Sequence, residues 1–125
     1  MITSVSALLN AVQTGKAQFE DVLNYINQHY YYTPTAFNNG KLYNAENENA
    51  GSCRVFAFAK LHNLSAPDTL SLFAEHYKSV IANPIGSDHQ NIRQFKKYSW
   101  AGVSFKGDAL KAKPPAAKPV DQKAI

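Results

Sequence analysis

Tyr31-Tyr32-Thr33-Pro34-Thr35-Ala36-Phe37-Asn38-Asn39-Gly40-Lys41-Leu42-Tyr43-Asn44-Ala45 is the stretch that separates this chain from an all-helical one. Aromatic and Thr residues lie on both sides of Asn39-Gly40, and Asn-Gly between β-formers is the strongest short-range signal for a hairpin. Two strands are expected, Tyr32 to Phe37 and Lys41 to Tyr43. Pro34 has no backbone N–H to give a sheet, which restricts the first strand to an edge.

On both sides of this stretch the period changes to that of helices. Val5, Leu8, Leu9 and Val12 recur at helical spacing, with Thr14-Gly15 as a stop. Phe19, Val22, Leu23, Ile26 and Tyr30 form a second stripe, with Glu20 and Asp21 in the first turn, where the helix dipole favours them, and His29 on its edge. After the polar loop Glu46 to Gly51, the run Cys53 to His62 is apolar on nearly every side, as in a core helix. Ser65-Ala66-Pro67-Asp68 has the form of a capping box and opens a helix through Leu70, Phe73, Tyr77, Val80 and Ile81, which Asn83-Pro84 ends. Ser87-x-x-Gln90 opens another, with Ile92 and Phe95 inward, and Trp100 to Phe105 alternates as a third strand beside the hairpin. The expected fold class is therefore α+β, four or five helices packed on a small antiparallel sheet.

At 125 residues the chain has room for one core. A single domain over residues 1–110 is expected, followed by a disordered tail over 111–125, because Lys113-Pro114-Pro115-Ala116-Ala117-Lys118-Pro119 has almost nothing to bury. The net charge is +4, and the small excess is shared between body and tail, so a nucleic-acid partner is not expected. No apolar run approaches the roughly 18 residues of a membrane span, and neither a basic segment with an apolar stretch nor a cleavage site opens the chain. The one cysteine, Cys53, has no partner for an internal disulfide and suits a reducing compartment.

Candidate chemistry gathers at helix entrances, where backbone N–H groups lack partners. Ser52 as a cap would put Cys53 in a first turn beside Arg54, a setting that favours thiolate. His89, two residues into its own helix, would remain neutral and could act as its base. Asp88 or Glu75 would orient the imidazole, and Asn49 or the backbone N–H of Cys53 would stabilise an oxyanion. That constellation describes a small thiol hydrolase or transferase. The competing reading is plain packing, since Cys53 shares a face with Phe56 and Ala57 and free cysteines are commonly buried. His76 lies at the margin of its helix's apolar stripe, where it would be a half-buried hydrogen-bonding residue or part of a site. Arg93, with Lys96 and Lys97 near it, would meet phosphate or an acidic partner, or form a solvated face. Glu48, Cys53, His76 and His89 are permitted metal ligands, but no Cys-x-x-Cys or His-Glu-x-x-His spacing pre-forms a pair, so neither a metal nor another cofactor is expected. Cys53, His76, His89 and Arg93 are expected to converge on one concavity.

Phe37-Asn38-Asn39-Gly40, Asn49-Ala50-Gly51-Ser52-Cys53, Phe56-Ala57-Phe58-Ala59-Lys60-Leu61, Thr69-Leu70-Ser71-Leu72-Phe73-Ala74-Glu75-His76-Tyr77, Asp88-His89-Gln90-Asn91-Ile92-Arg93-Gln94-Phe95 and Gly102-Val103-Ser104-Phe105 together resemble the HopJ type III effector protein family, over about Ala36 to Leu110. The resemblance implies a protein delivered by a bacterial type III secretion system into host cells, typically of plants, or a homologue that stays in the bacterial cytoplasm. It implies a protein partner, a host protein in the first case, and it supplies no catalytic residues. Two functions follow for the chain: a protein-binding effector or adaptor, and the thiol enzyme built on Cys53 and His89.

Overall fold

Local sequence accounts for the starts of the first two helices. Ser4 accepts a hydrogen bond from the Ala7 N–H at 3.0 Å and starts α1 (Val5–Gln13). Asp21 reaches back to the Gln18 N–H at 2.8 Å and fixes the start of α2 (Phe19–His29). In the computed structural model, which describes residues 2–114, these lead to β1 (Tyr30–Tyr32), β2 (Phe37–Asn39), β3 (Leu42–Asn44), α3 (Ala50–Leu61), α4 (Ala66–Ser71), α5 (Glu75–Ala82) and α6 (Gln90–Tyr98). A 3₁₀ turn, Ser99–Gly102, then precedes β4 (Val103–Phe105) and β5 (Leu110–Ala112). The α+β class holds. Among the described residues there are six helices and two small antiparallel sheets, ordered β3-β2-β4 and β1-β5.

The sixth helix comes from a break in the sequence's continuous stripe. Leu70, Phe73, Tyr77 and Val80 read as one helix, yet α4 stops at Ser71 and Ala74 takes φ 51° and ψ −121° before α5 begins. The left-handed φ is unfavourable for a residue with a Cβ, and the surroundings must hold it. Buried Phe73 does so, stacking on Phe19 and tilting against Phe56 at 5.3 Å. Glu75, just past the break, accepts the Phe19 N–H at 2.8 Å.

The hairpin is present with its turn displaced. Asn39 pairs with Leu42, so the two-residue loop is Gly40-Lys41 rather than Asn39-Gly40. Gly40 has φ 62° and occupies the first central position, a place that glycine fills without strain. A Cβ there would meet the Gln94 and Tyr98 side chains of α6 at 2.5 Å, and Gln94 caps the loop by accepting the Lys41 N–H at 2.8 Å. Asn39 remains in the strand, fully buried, with its amide turned inward. The expected strand Tyr32 to Phe37 is also divided. Residues 33–36, with Pro34, separate β1 from β2, and each joins a different sheet. Val103–Phe105 adds to β2 as the third strand.

Order continues beyond the expected boundary at Leu110. Tyr30 pairs with Ala112 and Tyr32 with Leu110, and the Lys113 N–H donates to His29 O at 2.9 Å. The remaining part of the expected tail, from residue 115, lies outside the described residues. The core centres on Phe56, fully buried, with Phe37, Phe73, Phe95 and Trp100 around it at ring separations of 5.0–6.4 Å. Burying this much aromatic surface is the main stabilising term of the fold. No helix among the described residues is long and apolar enough to cross a membrane.

Candidate functional site

Two helices present their N-termini to one concavity of about 400 Å³. α3 enters through Asn49 and α6 through His89, and both residues take the left-handed conformation, at φ 50° and 52°, with no side-chain cap on the helix that follows. Neither Ser52 nor Ser87 is the cap. Ser52 is the third residue of α3, and the Gln90 side chain donates to the Ser87 carbonyl at 2.8 Å instead of the serine capping the helix. The first N–H groups of each helix have no acceptor within their own helix and lie beside the opening. Gly51 permits the close fit of this wall, since a Cβ on it would stand 3.3 Å from the Phe19 ring.

The floor and walls combine apolar and polar groups. Phe19, Leu42, Phe73 and Ile92 supply the apolar part, while Asn49, Ser52, His76, His89, Gln90 and Asn91 supply the polar part. His76 and His89 stand with ring centroids 5.0 Å apart, and His76 also packs edge-on against Phe19 at 5.0 Å. The geometry thus joins His76, His89 and Asn49 of the residues singled out from sequence. Both imidazoles are half-buried.

Beneath them lies an asparagine cluster that sequence reading passes over. Asn44 and Asn91 exchange reciprocal amide hydrogen bonds at 2.9 and 3.1 Å. Asn49 donates to Asn44 Oδ1 at 2.7 Å, and Asn39 donates to Asn91 Oδ1 at 3.0 Å and to its carbonyl at 2.8 Å. These four amides fasten the hairpin, the α3 entrance and the α6 entrance to one another. Asn39 and Asn44 are fully buried and Asn91 nearly so, which makes the hydrogen bonds among them a condition of the fold, although Asn39 Oδ1 itself is buried without a partner. In sequence, Asn38-Asn39 and Asn44 resemble turn residues, and Asn91 is masked by the Ser87-x-x-Gln90 pattern. The one available signal is that Asn39 and Asn44 fall on positions where a strand residue faces inward.

Cys53 and Arg93 do not join the concavity. Cys53 is buried, its Sγ donates to the Thr35 carbonyl at 3.4 Å, and it is not among the lining residues. Burial pushes its thiol up, a shift that hydrogen bonds with Tyr32 and Thr35 and the charge of Arg54 only partly offset. Tyr32 beside it is pushed up to about 12, chiefly by burial and then by Cys53. The first-turn thiolate expected from sequence is thus not favoured here: Cys53 is the fourth residue of α3, and its own N–H is spent on Asn49 O at 3.0 Å rather than free for an oxyanion. Arg54 lies over the Tyr32 ring at 3.9 Å.

Arg93 holds the loop between α5 and α6. Its guanidinium donates to the carbonyls of Asn83, Pro84 and Asp88 at 2.9, 3.2 and 2.6 Å, and to Asp88 Oδ1 at 2.7 Å. That bond holds the Asp88 carboxyl below its usual range. Asp88 is therefore committed to Arg93, and its other oxygen lies 3.9 Å from His89 Nε2, too far to orient the ring by a hydrogen bond. Glu75, the other candidate for that role, is engaged with Phe19. Among the described residues no group of three or more His, Cys, Asp and Glu side chains forms a metal-binding set.

The comparisons agree with this fold. A solved structure described as "Crystal structure of unknown function protein VPA0580" is similar at 40% sequence identity and a TM-score of 0.82, covering 90% of this chain and 97% of that one. No curated protein matches the chain significantly. The profile of the HopJ type III effector proteins matches residues 5–110, so that α1 and α2 fall within it as well as the region from Ala36 onward. The chain belongs to the HopJ type III effector protein family.

Proposed function

We propose that this chain is a protein-binding domain that captures its partner in the concavity between the α3 and α6 entrances. The observation that carries this reading is the pairing, in one opening, of an apolar floor with His76, His89 and two sets of uncapped helix N–H groups. Such a surface suits a carboxylate beside an apolar side chain, as at a peptide's acidic residue or its C-terminus. Charged hydrogen bonds of this kind contribute roughly 1.5–3 kcal/mol each, and the apolar floor adds affinity without needing a reaction. Family membership supports an effector delivered by a bacterial type III secretion system into a host cell, or a homologue retained in the bacterial cytoplasm.

The test compares partner capture from host and bacterial lysates by the wild-type chain, by His76→Ala/His89→Ala and by Cys53→Ser. Capture that falls about tenfold or more for the double histidine variant and persists for Cys53→Ser supports binding at the concavity. Equal capture by the histidine variant, or a loss confined to Cys53→Ser, contradicts it.

A further inference from the structure

A second surface stands apart from the concavity, behind the Arg93-held loop. Ile85 is 93% exposed and Ile81 is 52% exposed, the first on that loop and the second four residues earlier on α5. Beside them a shallow hollow of about 230 Å³ is lined by Val80, Pro84, Arg93, Lys96 and Lys97. Lys96 and Lys97 are both exposed. Among the described residues the carboxylate ion pairs are those of Asp88 with Arg93 and His89, so the lysine charges on this face have no neutralising carboxylate. Asp88, the acidic group of the adjoining loop, is already committed to Arg93.

The loop carrying Ile85 is fixed in advance. Arg93 donates to three of its backbone carbonyls, those of Asn83, Pro84 and Asp88, and to the Asp88 carboxylate, so a partner closing over Ile85 would not have to order it. A pre-ordered apolar knob, a hollow that accepts one side chain and a rim of unpaired positive charge have a specific complement. We infer that this face docks an acidic amphipathic segment of a partner protein, with an apolar side chain in the Val80–Pro84 hollow, carboxylates against Lys96 and Lys97, and Ile85 packed on the segment's apolar stripe. An anionic membrane surface would use the same charges. It is disfavoured because Lys96 and Lys97, beside an Arg93 already paired with Asp88, fall short of the cluster of about 4–8 basic residues that marks lipid recognition, and because a flat bilayer leaves the hollow unfilled.

The test is a titration of the isotope-labelled full chain, followed through its backbone amides, with an acetylated, amidated helical peptide bearing leucines on one face and glutamates on its flanks. A scrambled peptide of the same composition and phosphatidylserine vesicles are the parallel arms. The expected result is shifts confined to residues 78–88 and 93–97, affinity that falls with added salt, about a tenfold loss for Ile85→Ala and a larger loss for Lys96→Glu/Lys97→Glu. Ile85 is almost wholly in solvent, so Ile85→Ala should melt like the wild type, and the comparison is free of a folding artefact. Equal binding of the scrambled peptide, shifts around His76 and His89 instead, binding to vesicles alone, or unchanged affinity in both variants would overturn the inference.

Discussion

The entrances of α3 and α6 share a backbone conformation and a concavity, yet they are anchored by opposite means. Asn49 and His89 both begin their helices at positive φ without a side-chain cap. The α3 entrance is secured from inside by neutral groups: Asn44 holds Asn49, and one turn on the Thr35 carbonyl holds buried Cys53. The α6 entrance has an interior anchor too, Asn91, but its other anchor is Arg93 with the solvent-exposed carboxylate of Asp88. Buried amides and a thiol gain from low dielectric and lose heavily when a partner is removed, whereas exposed charges are screened and replaceable by water. The interior anchors should therefore set global stability, and the exterior one should set the order of a single loop.

Removing the shared interior anchor gives the largest effect. Asn44→Ala deprives Asn49 and Asn91 of partners at once and should destabilise the fold by about 2–3 kcal/mol, with a fall in Tm of roughly 10–20 °C in thermal denaturation. A loss within the few-degree range of a surface substitution would mean that water replaces the network, and the contrast between the entrances would collapse. Cys53→Ala comes next, at about 1–2 kcal/mol, the range for a small buried truncation. Its companion measurement is iodoacetamide labelling, which should be negligible in the native protein and complete after denaturation. Because Cys53 and Tyr32 both titrate above their ordinary values in the fold, their contribution to stability is intact below the unfolded thiol's range near 9.0. It is lost as pH rises toward the Tyr32 value of about 12.

Arg93→Ala tests the exterior anchor. It should lower Tm by only a few degrees, roughly 2–5 °C, while amide hydrogen exchange accelerates selectively over residues 83–89. A global acceleration would place Arg93 among the interior anchors. The smallest effect belongs to Asp88→Asn and is visible only through pH. Arg93 depresses the Asp88 carboxyl, so its stabilising contribution is present above the ordinary carboxylate value of 3.8 and disappears as pH falls through its own lower one. The Tm difference between wild type and Asp88→Asn should shrink on acidification, and a difference that grows would reverse the assignment.

Periodicity made α1, α2, α3 and α6 legible, because each buries a stripe at the helical repeat or, for α3, nearly its whole circumference. It could not reveal the interruption at Ala74. No glycine or proline marks it, and Phe73 and Tyr77 retain the spacing of an unbroken helix. The displaced hairpin turn has a similar cause: Asn-Gly chemistry fits a turn, but Asn39 is required inside by Asn91, a partner 52 residues away. Of the site, His76, His89 and Asn49 could be named from sequence as polar residues near helix entrances. The direction of Cys53 could not, because a helix apolar all round gives no indication of which side meets solvent, and the side that opens belongs to Gly51 and Ser52.

The pairing of Tyr30–Tyr32 with Leu110–Ala112 places a late requirement on folding. These strands are joined by nearly the whole of the intervening chain, so their contact carries a large loop-closure entropy and belongs after the local helices and the β2–β3 hairpin have formed. A chain still emerging from the ribosome has α2 and α3 available to pack on each other while the β1 edge waits, with Tyr31 facing solvent, for a strand not yet synthesised. The final strand thus acts as a seal: a protein cut short before Leu110 would retain most of its core but keep an open sheet edge, the kind of surface on which chains associate with one another.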